Sequence, residues 1–464
     1  MKQIRLNAFF QNCSGHQSIG QWRNPADTST QYKTIKYWTN IAQELERGYF
    51  DGIFLADVMG VYDVFGGNAD AALRSGTQVP CNDPTLIIPP MAMVTEHLGF
   101  GVTCTLSFEP PFPFARRMST LDHLTNGRVA WNVVTGYLES AAKAAGLSKM
   151  TAHDLRYNMA DEYMDVVYKL WEKSWDDDAV LQDKSKGIYT DPAKVRRISH
   201  RGEHYTVEAI HLCEPSPQRT PLIFQAGASS RGQEFAAKHA ECVFVNAPSK
   251  KVIAQTVKKF REALVQQGRQ ANDALVFCLL TIIVGRTDAE AHEKYLEHQR
   301  YIDREGALTL MAGWTGIDFS GLSPDETIKH ERTDAIHSAI DRFTTADPDK
   351  VWTVGEVADF VGLGGASPII VGSAQTVADA LQSWMEETDV DGFNLAYVTV
   401  PDSITDFVDL VVPVLQERGL YKQSYDNGTL RHKLFGAGDR SATASAYATI
   451  SLDAFGQAYL AAAE

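Results

Sequence analysis

Side chains able to hold or move a proton fall just beyond apolar runs of strand length. Asn12, Cys13 and His16 follow residues 4–9. Asp57 closes residues 52–57, with Tyr62 and Gln78 in the loop that follows. Ser107 and Glu109 come after residues 100–106, and Asn132, Thr135 and Tyr137 stand at or past the end of residues 128–134. Imidazole and phenol groups donate or accept protons as required, so His16 and Tyr62 could act as acid or base groups. The plainer alternatives stay open: a hydrogen-bonded loop histidine, an inert buried thiol at Cys13, and structural polar residues at Asn132 and Thr135.

Two further segments suit an anion. GASSRG (227–232) joins an apolar run directly to a helical one, so small residues leave backbone N–H groups free and Ser229 and Ser230 add hydroxyls. A simple helix cap accounts for the same residues. His153 and Tyr157 open a helix four residues apart and share its face, as a phosphate grip or as an ordinary helix start.

The elements that must position these groups alternate. Eight strand-length runs (4–9, 52–57, 100–106, 128–134, 222–226, 242–245, 276–284 and 392–397) are interleaved with helical periods at 32–47, 84–98, 114–124, 154–175, 230–239, 250–267, 289–304, 376–387 and 403–418. This is the α/β pattern of a closed (β/α)8 barrel, in preference to an open doubly wound sheet, and it puts the strand-end residues at one mouth. Residues 1–464 are expected to form one domain. Stretches at about 176–220 and 305–368 break the rhythm and are expected to be insertions over the C-terminal face, with a tail from about 421 packed outside the barrel or on a partner subunit.

Composition narrows the partners. The 58 acidic residues outnumber 43 basic ones, giving a formal charge of -15, and no basic run could track nucleic acid or an anionic membrane. Apolar stretches such as 275–284 are half the length of a membrane span, and the start lacks a basic-then-apolar signal pattern, so a cytoplasmic enzyme is expected. Six scattered cysteines form no CxxC or zinc spacing, so no metal is expected. GLGGAS (362–367) has the wrong glycine spacing for a dinucleotide loop. Phe9, Phe10, Phe65, Phe108, Phe112, Phe114 and Trp314 lie near strand ends, which favours a small apolar substrate over a polyanion.

GHQSIGQWR (15–23), ERGYFDGIFLAD (46–57), RRMSTLDHLTNGRVAWNVVTG (116–136), HDLRYNMADEY (153–163), EPSPQRTPLIFQAGASSRG (214–232), DGFNLAY (391–397) and VVPVLQERGLY (411–421) carry a family likeness in order along nearly the whole chain. The chain resembles the bacterial-luciferase-like, flavin-dependent monooxygenases of the nitrilotriacetate and dibenzothiophene-sulfone group. Within it, NAFFQNCSGH, FLADVMGVYDV, QVPCNDP and HLCEPSPQRTP are most similar to the long-chain alkane and dimethylsulfide branch.

The resemblance implies a TIM barrel, a homodimer or homotetramer, and FMN used as FMNH2 supplied by a separate NAD(P)H-dependent flavin reductase. It also implies oxygen transfer from O2 through a flavin C4a-hydroperoxide. Residue by residue it puts Asp57 and Thr103 near the ring, Asn132, Val134 and Thr135 along ring and ribityl chain, and His153, Tyr157, Ala228 and Ser229 toward the phosphate. Cys13, His16, Tyr62 and Gln78 fall on the substrate and peroxide side. Tyr137 stands where the alkane branch has histidine, and ALTLMAGW (307–314) lacks a second expected histidine. The expected substrate is therefore a small apolar compound, a dialkyl sulfide ahead of an alkane or sulfone. Two other readings keep the fold: hydride transfer on the deazaflavin F420, and a non-catalytic flavin-binding protein.

Overall fold

The computed structural model describes residues 2–227, 229–330, 333, 335–344, 350–436 and 438–444. Eight parallel strands close on themselves: β1 (Arg5–Gln11), β2 (Gly52–Ala56), β3 (Gly99–Thr105), β4 (Val129–Val134), β5 (Leu222–Gln225), β6 (Cys242–Val245), β7 (Leu275–Gly285) and β8 (Gly392–Ala396). Each pairs with the next, and β8 returns to β1 through Arg5↔Gly392 to Phe9↔Ala396. This is a (β/α)8 TIM barrel, as the eight apolar runs predict.

The strands are buried on both faces, which is why they read as apolar runs without alternation. Phe9, Phe54, Phe224, Phe244 and Phe277, from five different strands, fill the interior with ring centroids 4.5–6.0 Å apart. Gly101 makes room for them: a Cβ there would stand 2.6 Å from Phe224. The packed aromatic layer makes the interior a floor and not a channel.

Helices cover the outside. α1 (Ile35–Arg47) buries Trp38, Ile41 and Leu45, and α2 (Pro111–Leu124), α3 (His153–Tyr168), α4 (Ser230–His239) and α5 (Lys250–Gln266) follow their strands. Several sequence expectations need correction. The helix expected over 289–304 ends at Gln299, and a second helix, α6 (Arg304–Thr315), starts where the Asp303 side chain accepts from the Gly306 N–H. The stretch 84–98 is helical only to Ala92, and 403–418 is split by a wide turn at Phe407–Val411.

Residues 176–220 hold two antiparallel hairpins, Val180–Asp183 with Ile188–Thr190 and Ile198–Arg201 with Thr206–Ala209. A further strand, Ile369–Ser373, pairs with the second half of β7 outside the closed ring. Beyond Tyr421, the helix Leu430–Phe435 packs Leu430 and Leu434 against Phe54, Phe224 and Phe277 under the barrel floor. There Arg431 is paired with Glu241 at 2.7 and 2.9 Å, both buried. Among the described residues, no helix is long and apolar enough to cross a membrane.

Candidate active site

A cavity of about 360 Å³ opens above the aromatic floor at the C-terminal ends of the strands. Its wall includes His16, Asp57, Tyr62, Gln78, Thr103 and Asn132, and also Val134, Thr135, Tyr137, His153, Tyr157 and Ser229. Two of the expected flavin and substrate residues are not in this set. Ala228 lies outside the described residues. Cys13 is 1% exposed and turned away from the cavity, because its backbone pairs with Cys81 and its sulfur lies against that cysteine.

One side of the cavity is a hydrogen-bonded chain. The Tyr62 hydroxyl donates to Gln78 Oε1 at 3.1 Å, and the Tyr62 and Tyr137 hydroxyls are 2.6 Å apart. With the Tyr62 proton on Gln78, Tyr137 is the donor between the two phenols. The Gln78 amide in turn donates to the His16 carbonyl at 3.0 Å. Gln78 holds a left-handed backbone, φ 52°, and its N–H is tied to the Gly15 carbonyl at 2.9 Å. Such a conformation in a side chain other than glycine costs free energy and needs the surroundings to impose it. The Trp314 indole, from α6, lies within hydrogen-bonding reach of both phenols. Burial pushes both phenols up, so they are neutral donors at working pH.

The His16 imidazole packs edge-on against Phe9 with ring centroids 4.5 Å apart, and among the described residues neither ring nitrogen has a hydrogen-bond partner. Burial lowers its pKa to about 3, with the nearby Phe9 carbonyl offsetting the shift only slightly. It is a neutral donor and acceptor facing the cavity. Asp57, at the end of β2, has its carboxyl pushed up to about 7 by burial and by the neighbouring Asp83, against a Val58 N–H that favours the anion.

Over the floor, four side-chain amide oxygens lack a partner among the described residues: Gln11 Oε1, Asn132 Oδ1, Asn246 Oδ1 and Asn394 Oδ1. The Asn132 amide nitrogen donates to Thr103 Oγ1 at 2.9 Å, which leaves its oxygen to face the cavity. Orphaned buried acceptors are rare in folded proteins, and four around one cavity call for N–H or O–H donors from a ligand.

The far end is cationic. His153, Arg156 and Tyr157 share one face of α3, and Ser229 caps α4 by accepting from the Gly232 N–H at 3.1 Å. Tyr157 lies over that helix start only because residue 232 is glycine: a Cβ would sit 2.8 Å from its hydroxyl. The free N–H groups of a helix start and a buried guanidinium favour a dianion such as a phosphate ester. Among the described residues, no cluster of histidine, cysteine and acidic side chains could hold a metal ion.

Sequence reasoning missed Arg156, Gln11, Gln225, Asn246 and Asn394, all on the wall. Arg156 was available as the residue three after His153 on the same helical face. Asn246 and Asn394 were available as lone amides in the runs CVFVN and GFNLAY. Of the seven aromatic residues expected near the mouth, Phe9, Phe108 and Trp314 line the cavity. Phe10 instead stacks on Tyr397 at 4.5 Å, Phe114 packs on Trp131 at 4.4 Å, and Phe65 and Phe112 join other apolar clusters.

Comparison with known proteins gives a consistent picture. The profile of the family described as luciferase-like monooxygenase matches residues 18–392. A dimethyl-sulfide monooxygenase of Hyphomicrobium sulfonivorans is 51% identical, with 94% of this chain and 91% of that protein covered. A long-chain alkane monooxygenase of Geobacillus thermodenitrificans is 46% identical, with 94% and 95% covered. The crystal structure of DmoA from Hyphomicrobium sulfonivorans superposes with a TM-score of 0.90 at 50% identity, covering 96% of each chain.

Proposed function

The chain belongs to the luciferase-like monooxygenase family, and from that premise we propose that it oxygenates a dialkyl sulfide with reduced FMN and O2. The FMNH2 comes from a separate NAD(P)H-dependent flavin reductase. The observation that carries this reading is the polarity of one cavity: a cationic end, a ring of orphaned amide oxygens, and an apolar end closed by the Tyr62–Tyr137 pair.

The residues present fit FMN. Gln11, Asn132, Asn246 and Asn394 offer acceptors that no donor among the described residues satisfies, which suits the N–H edge of a reduced flavin ring. Asp57, Thr103, Val134 and Thr135 would flank ring and ribityl chain, and His153, Arg156, Tyr157 and Ser229 would hold the phosphate. When bound, reduced FMN supplies the electrons that activate dioxygen; the protein supplies position and dryness.

The Tyr62 and Tyr137 hydroxyls hold their protons at this end of the cavity as hydrogen-bond donors, while neutral His16 donates or accepts a proton on the same wall. Trp314, Ile336 and Ala339 add apolar wall here, which would disfavour water when the cavity is filled. Met59, Phe108, Leu138, Ala141, Trp314 and Ile336 line this end, and no lysine or arginine among the described residues joins them there. A polycarboxylate would be left without a counter-charge, whereas a small sulfide loses little on desolvation.

The test is a substrate panel with the purified chain, a flavin reductase, NADH and FMN. Dialkyl sulfides should give substrate-dependent O2 uptake and a sulfur-side oxygenated product. Turnover of long-chain alkanes or sulfones instead would replace the substrate assignment, and turnover of nothing would favour a flavin-binding protein without activity.

A further inference from the structure

The loop carrying His16 is zipped to the loop carrying Gln78, and two cysteines face one another across the zip. Cys13 and Cys81 form an antiparallel bridge, flanked by the Asn82 N–H donating to the Asn12 carbonyl at 2.9 Å. Farther along, Gly15 pairs with Thr77, and the Gln78 N–H reaches the Gly15 carbonyl at 2.9 Å. The flanking bond makes Cys13 and Cys81 a non-hydrogen-bonded pair, the arrangement in which Cα atoms approach to about 4.5 Å and side chains come closest. That approach lies at the near end of the roughly 4.4–6.8 Å window for a disulfide.

The two side chains face one another across this bridge. The Cys13 thiol is within hydrogen-bonding reach of the Cys81 sulfur, which also accepts from Gln11 Nε2 at 3.6 Å. Both cysteines are free thiols. Cys13 is fully buried, whereas Cys81 is partly open to solvent and its two donors favour the thiolate. One sulfur is placed to meet an oxidant and the other to resolve the product.

We propose that Cys13 and Cys81 are a peroxide-responsive thiol pair that closes a disulfide between the two loops. The Cys81 thiolate attacks one oxygen of hydrogen peroxide, the O–O bond breaks, hydroxide leaves, and Cys81 becomes a sulfenic acid. The Cys13 sulfur, giving up its proton, attacks the Cys81 sulfur and expels hydroxide, which takes that proton as water. Overall, two thiols and one peroxide give one disulfide and two waters. Hydrogen peroxide is also what reduced flavin and dioxygen release when turnover is unproductive, yet the proposal stands apart from the substrate reading because the oxidant can be added directly.

Cys213 is a built-in comparison, half-buried like Cys81 but with Thr120 and the Arg116 carbonyl as its hydrogen-bond neighbours and no second sulfur paired with it among the described residues. The test treats the full chain with stoichiometric hydrogen peroxide, alkylates the remaining thiols without reductant, and maps the digest by mass spectrometry. The expected result is a cross-linked peptide pair containing Cys13 and Cys81, two hydrogen masses light and split by dithiothreitol, with Cys213 still alkylated. Cys13→Ser should leave Cys81 as a sulfenic acid that dimedone traps, and Cys81→Ala should leave Cys13 reduced. Peroxide that spares both thiols, that oxidises Cys213 first, or that drives Cys81 to sulfinic acid with Cys13 reduced would overturn the proposal, and the wild-type digest alone decides it.

Discussion

The Tyr62 and Tyr137 hydroxyls meet at 2.6 Å at the apolar end of the cavity, and the Tyr62 hydroxyl donates a hydrogen bond to Gln78 Oε1 at 3.1 Å. The order of donors is therefore fixed: Tyr137 to Tyr62, Tyr62 to Gln78, and Gln78 to the His16 carbonyl. A change at one member is felt along the series.

Tyr137→Phe removes the first donor and leaves the ring. Turnover of the preferred substrate should fall about 10²-fold or more, the usual contribution of a positioned proton donor. Stability should fall by only about 1 kcal/mol, since the lost hydrogen bond is between neutral groups. Steady-state rates and a denaturant titration check both. Unchanged turnover would remove Tyr137 from the chemistry.

Gly313→Ala attacks the same pair from behind. A Cβ at this position of α6 would stand 1.8 Å from Tyr62 Cδ1, so the ring must leave its place. Overpacking of this kind costs about 1–3 kcal/mol, and here it should also lower kcat with little change in FMN affinity. Gly321→Ala is the control, since a Cβ there meets nothing within 4 Å.

His16 makes a pH prediction. Its pKa is about 3 when folded, against an ordinary value of 6.5, so the unfolded chain binds the proton first as pH falls. Stability from burying the neutral ring is therefore complete above pH 6.5 and is lost as pH drops toward 3. Between pH 7 and pH 5 this share amounts to about 2 kcal/mol. His16→Gln carries no such proton, so the stability gap between pH 7 and pH 5 should narrow by about that amount in denaturant titrations. An unchanged gap would mean that the imidazole is not buried as described.

Arg156→Gln tests the cationic end. Loss of a charged hydrogen bond worth about 1.5–3 kcal/mol should weaken FMN binding about 10- to 100-fold. Riboflavin, which has no phosphate, should bind the variant nearly as it binds the wild type. Flavin fluorescence titrations with both ligands separate a phosphate contact from a general loosening of α3.

The barrel was legible in the sequence because its strands, from Arg5–Gln11 to Gly392–Ala396, are buried on both faces and so leave predominantly apolar runs without alternation. Ile369–Ser373 leaves a run of the same kind, but it sits on the flank of β7 and follows Pro368 at the end of a long irregular stretch, so periodicity did not separate it. The break between Gln299 and Arg304 depends on the Asp303 cap, a single side chain inside an otherwise continuous helical pattern.

The site divides in the same way. Tyr62, Gln78, Tyr137 and Asn132 were readable as polar residues at strand ends. Arg156 was marked only by its spacing from His153, and its place in a charged helix, where an arginine ordinarily faces water, masked that signal. Cys13 illustrates the opposite error: sequence distance to His16 put both in one loop, but the bridge to Cys81 turns Cys13 out of the cavity wall.

The most direct test of the central claim is the fate of dioxygen. With the purified chain, a flavin reductase, NADH, FMN and a dialkyl sulfide under isotopically labelled O2, the account predicts one labelled oxygen atom in the product and none from water. A product without label, or oxidation that proceeds without O2, would contradict it.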